Sequence, residues 1–127
     1  MITQITPLDC RALPDGKNWG LLNDLLFDVG SIDGKDIIKI KKGFITDFGS
    51  VPWVFQLIVN PQGISKPFYV LHDYLYRTQE RSRLVSDAML LEGMETVGVG
   101  LIQRKACFRG LRLGGWLIWG RYRRKLK

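Results

Sequence analysis

A single histidine, only two cysteines and the absence of any long apolar run restrict what this 127-residue chain can be. One imidazole, His72, cannot assemble a zinc centre of the usual nitrogen and sulfur ligands, so any metal would be a hard cation held by oxygen. Cys10 and Cys107 lie almost the whole chain apart, which excludes both a disulfide framework and a clustered thiolate site and points to a reducing, cytoplasmic setting. The longest apolar stretch, Leu113 to Gly120, is far below the roughly 20 residues a membrane-spanning helix requires. Met1 to Asp9 has neither the basic start nor the apolar run of an export signal, so the product is expected to stay in the cell that makes it. Acidic residues are missing altogether after position 100.

What is present is enough for a folded body. Hydrophobic residues at 46% and charged residues at 24% exclude intrinsic disorder, and the length suits one domain with a modest core. Residues 1–100 carry ten Lys or Arg against twelve Asp or Glu, whereas the rest carries nine basic residues and no acid. The net charge of +7 is therefore a property of the last helix-sized segment, which would recruit an anionic surface such as phospholipid headgroups, nucleic acid or an acidic protein. No nucleic-acid recognition motif accompanies the charge. Nothing in the sequence bears on self-association.

The expected fold is α+β, a single domain over 1–127 that is strand-rich over 1–48, crosses a structured loop at 49–66 and is helical over 67–127. In the first part Asp33-Gly34 separates Asp28–Ile32 from Ile37–Lys41, a hairpin signal, and Asp15-Gly16 marks another turn. Gly49, Pro52, Pro61 and Gly63 break up the middle. Ser65-Lys66-Pro67 reads as a helix start, and Ser82 as the cap of a second helix that runs to about Val97 and is closed by Gly98 and Gly100. A third begins near Leu101, with Phe108, Leu111, Gly115, Trp119 and Tyr122 on one face.

Chemistry concentrates in the first two helices. His72 and Tyr76 stand one turn apart on one face, with Asp73 directed about a quarter turn away, toward the preceding loop. In the second helix Leu84, Ala88, Leu91 and Met94 form an apolar stripe into which Asp87 falls. A buried carboxylate needs a donor, and His72 or Tyr76 of the facing helix is the natural source. The result would be an oriented imidazole, the arrangement of a general base, or a packing brace, the commoner situation for a lone histidine bonded to a carboxylate. The turn Asp47-Phe48-Gly49-Ser50 offers an acid, a hydroxyl and backbone carbonyls, which are hard-cation ligands, and also the groups that commonly cap a turn.

Two resemblances follow from these residues. The span from Gly43 to Met94 (GFITDFGSVPWVF, VLHDYLYRT and SDAMLLEGM, in order) resembles a family of short phage and prophage proteins, domain of unknown function 1353, which implies residence in a host cytoplasm or a virion. His72-Asp73-Tyr74-Leu75-Tyr76 is similar to the His-Asp-x-Cys-Tyr helix of phospholipase A2, with Leu75 in place of the cysteine. That likeness implies a calcium-dependent esterase acting on envelope lipid. His72 would activate water, Tyr76 and Asp87 would orient it, and Asp73, with Asp47, Gly49 and Ser50 of the loop, would hold calcium. Trp116, Trp119, Arg121, Arg123, Arg124 and Lys125 suit a lipid-water interface, or the partner of a non-catalytic phage accessory or assembly protein.

Overall fold

The computed structural model describes residues 2–30, 36–47 and 65–126. The chain is α+β: two small antiparallel sheets are built from the amino-terminal half and three helices from the carboxyl-terminal half. The strands are β1 (Thr3–Gln4), β2 (Cys10–Ala12), β3 (Trp19–Leu21), β4 (Leu25–Asp28), β5 (Ile37–Ile40) and β6 (Ile45–Thr46). One sheet has the order β1-β4-β5 and the other β2-β3-β6.

Both turn signals fall between strands that pair. Around Asp15-Gly16, β2 pairs with β3, Gly16 has φ +78°, and the Asp15 carboxylate accepts from the Lys17 and Asn18 amides at 3.0 and 2.9 Å. These bonds hold the exposed Asp15 carboxyl below its ordinary range. Strands β4 and β5 pair antiparallel, with Asp28 opposite Ile37 and Leu25 opposite Ile40. The first of the two therefore precedes Asp28 rather than following it, because Leu25 and Phe27 are the residues whose alternation faces the core. Residues 31–35 lie outside the described residues.

The inner face of the first sheet, Leu25, Phe27, Ile38 and Ile40, is fully buried, and Phe27 meets Phe68 of the first helix at 5.5 Å between ring centroids. That helix, α1 (Lys66–Thr78), has Pro67 in its first turn as expected, but the Ser65 side chain makes no capping bond; its carbonyl receives the Phe68 amide instead. Gln79 ends α1 in a left-handed conformation, φ +53°, with its amide on the Leu75 carbonyl. Helix α2 (Arg83–Thr96) is capped by Ser82, whose hydroxyl accepts from the Val85 amide at 3.1 Å.

The expected apolar stripe of α2 is rotated. Leu84 is exposed, while Ser86, Asp87, Leu90, Gly93 and Met94 are buried. Gly93 permits this packing: a Cβ there would collide with the Phe68 ring, so only glycine admits this approach of α1. Helix α3 (Leu101–Leu126) packs across both, with Cys107 and Gly115 buried and Phe108, Leu111, Trp119 and Tyr122 on the covered side, the face expected from the sequence. Arg83 fastens it by donating to the Leu111 carbonyl at 2.9 Å, and Gln79 by donating to the Trp119 carbonyl at 2.8 Å.

Candidate functional site

Four residues from the three helices meet at the Asp87 carboxylate. His72 Nε2 lies 2.8 Å from Oδ1, and the Tyr76 hydroxyl donates to the same oxygen at 2.7 Å. Arg112 Nη1 of α3 donates to Oδ2 at 2.8 Å, and Arg83 Nη1, one turn back on α2, lies 3.7 Å from it. Asp87 has no exposed surface and His72 only 5%. Burial by itself pushes the Asp87 carboxyl up, yet the hydrogen bonds from His72, Tyr76 and Arg112 outweigh it and hold the group below its ordinary range.

An ionised Asp87 can only accept, so in the neutral ring the proton sits on Nε2 and the lone pair on Nδ1. The imidazole is held on its face as well, its ring centroid 4.3 Å from that of Tyr76. Tyr76 in turn meets the Trp119 ring edge-on at 5.1 Å. Gly115 lets α3 close over this stack, since a Cβ there would stand 2.6 Å from the Tyr76 hydroxyl. Burial and the Asp87 charge raise the Tyr76 phenol, which therefore serves as a donor.

A second carboxylate stands one residue along α1. Asp73, 2% exposed, accepts from the Thr46 hydroxyl at 2.8 Å on Oδ2 and from Arg77 Nε at 3.0 Å on Oδ1. The same guanidinium lies 3.8 Å from Asp47 and 4.9 Å from the centre of the Tyr122 ring. Burial raises the Asp73 carboxyl, and Arg77 only partly opposes the rise.

His72, Tyr76 and Asp87 are thus brought together, and Asp73 and Asp47 flank Arg77. Gly49 and Ser50 lie outside the described residues. Calcium takes six to eight oxygen ligands. Among the described residues no three His, Cys, Asp or Glu side chains gather as a metal site. The two oxygens of Asp73 meet N–H and O–H donors, a set that suits a carboxylate paired with arginine rather than one bound to calcium.

On α3, Trp119 turns inward onto Tyr76, whereas Trp116 is 58% and Leu113 80% exposed. Leu117, Arg121, Arg123, Arg124 and Lys125 are exposed as well. No described helix is long and apolar enough to cross a membrane.

The family described as Protein of unknown function (DUF1353) matches residues 19–111. The chain belongs to the DUF1353 family. The match takes in His72, Asp73, Tyr76, Arg77, Arg83 and Asp87 of this DUF1353 protein and stops one residue before Arg112. No curated protein and no solved structure matches the chain.

Four partners escaped the sequence reading. Arg83 and Arg77 stand at helical spacing from Asp87 and Asp73, so the i, i+4 rule could have found them. Thr46 and Arg112 carry no local signal and are supplied by the packing of β6 and α3.

Proposed function

We propose that this protein is a phage-encoded hydrolase that cleaves an ester at an anionic lipid surface, with His72 as its general base. The observation that carries the proposal is the 2.8 Å contact between His72 Nε2 and a carboxylate held ionised by its surroundings. In this reading water and the ester reach Nδ1 of a ring only 5% exposed; Nδ1 takes a proton from the water as it attacks the ester carbonyl, and the imidazolium then gives that proton to the departing alkoxide as the ester C–O bond breaks. Asp87 stabilises the imidazolium that forms, and Tyr76 keeps both groups in place.

The outer side of α3 supports the lipid surface as partner. Leu113, Trp116 and Leu117 are exposed beside Arg121, Arg123, Arg124 and Lys125, an apolar and cationic pattern suited to headgroup depth over anionic lipid. The resemblance to phospholipase A2 adds calcium, but the described residues do not supply its ligand set and no step is routed through it.

The test is fatty-acid release from phosphatidylglycerol vesicles by the native protein, His72→Gln and Trp116→Ala. Release by the native protein is expected to fall at least about 100-fold in His72→Gln, the scale of a lost general base. Trp116→Ala is expected to raise the lipid concentration needed for half-maximal rate. Native release no greater than that of a folded His72→Gln variant overturns the hydrolase.

The Asp87 group also favours a second reading. Donors from α1, α2 and α3 converge on one carboxylate, which is what a brace for a non-catalytic accessory or virion protein would require. An inactive protein found at fixed copy number in purified phage particles would establish that role.

A further inference from the structure

The helix that carries His72 also carries the cation nearest Asp73, and it is an arginine. Arg77 is anchored one turn from Asp73 on α1, so its guanidinium reaches Oδ1 without leaving its helix. It also faces Asp47, which follows β6, and lies over the Tyr122 ring of α3. Three parts of the fold therefore meet on one side chain. We propose that the Arg77 guanidinium is the resident cation of the Asp73–Asp47 pair, taking the place that a divalent ion would fill, so that the folded protein has no calcium requirement at this position.

Calcium would have to displace a charge-assisted bond at 3.0 Å, draw the Thr46 hydroxyl away from Oδ2 and send Arg77 off its aromatic platform. Asp73, only 2% exposed, offers little room for the water that usually completes a calcium shell. The inference does not depend on whether His72 acts as a base.

Terbium luminescence sensitised by the protein's aromatic rings, and the calcium dependence of Tm, test it with the native chain, Arg77→Lys, Arg77→Met and Asp73→Asn. Native protein and Arg77→Lys are expected to show no saturable response up to about ten millimolar calcium. Arg77→Met keeps a stem over Tyr122 but removes the charge, and is expected to gain saturable binding. A saturable native response abolished in Asp73→Asn overturns the proposal, as does a folded Arg77→Met that binds neither ion. Should Arg77→Met fail to fold, the native and Asp73→Asn proteins decide: a calcium response lost on substitution overturns it, and a flat native response upholds it.

Discussion

Asp73 and Asp87 hang from adjoining helices, each with 2% or less of its surface exposed, and their carboxyls are shifted in opposite directions. Burial disfavours both charges. The difference lies in the donors. Asp87 meets His72, Tyr76 and two arginines, whereas Asp73 meets one hydroxyl and one arginine and has a second acid, Asp47, in its surroundings. The comparison teaches that the ionisation of a buried acid is set by how many donors the packing delivers and by the charges behind them. It also separates their roles: Asp87 fixes an imidazole, and Asp73 holds a cation.

The most severe way to break the contrast is to remove the better-paired acid. Asp87→Ala would leave Arg112, Arg83 and Tyr76 without their acceptor, and is expected to lower unfolding stability by about 3–5 kcal/mol in urea melts. A loss below about 1 kcal/mol would mean that the node is not a tie between helices. Gly115→Ala presses a methyl group toward the Tyr76 hydroxyl and is expected to cost about 1–3 kcal/mol in the same melts.

Acid titration sharpens the comparison, because the two groups carry opposite signs. For Asp87 the folded-state value lies below the unfolded one, so its contribution is complete above the ordinary value of 3.8 and is lost as pH falls through the folded value. For Asp73 the folded value lies above 3.8, so its ionisation costs stability, and that cost disappears as pH falls through the raised value. Urea melts between about pH 2 and 7 are expected to show a smaller acid loss in Asp87→Asn than in the native protein. In Asp73→Asn the decline with rising pH above 3.8 should be absent. Equal slopes in both variants would refute the opposed shifts. The smallest expected effect is that of Thr46→Val, which takes the hydroxyl from Asp73 and should cost about 1 kcal/mol while leaving the Asp87 side unchanged.

Much of this arrangement was legible in residue spacing. The His72–Tyr76 face, the need of Asp87 for a donor, the Ser82 cap and the covered face of α3 all follow from helical periodicity and the cost of an unpaired buried charge. The rotation of α2 was not legible. The pattern of Leu84, Ala88, Leu91 and Met94 is apolar, but the face of α2 that packs on α1 holds the close approach of Gly93 to Phe68, and Leu84 is exposed.

Residue order alone is enough for the α+β order of elements, the concentration of positive charge after position 100 and the one helix able to carry an imidazole beside a carboxylate. Periodicity and composition are local quantities, and those conclusions needed nothing more. That Arg112 completes the Asp87 site and that Thr46 joins Arg77 at the Asp73 carboxylate depended instead on tertiary packing. Arg112 and Thr46 lie 25 and 27 residues from the acids they serve, so their roles depend on how α3 and β6 are laid across α1 and α2. Spacing along one helix cannot specify that placement.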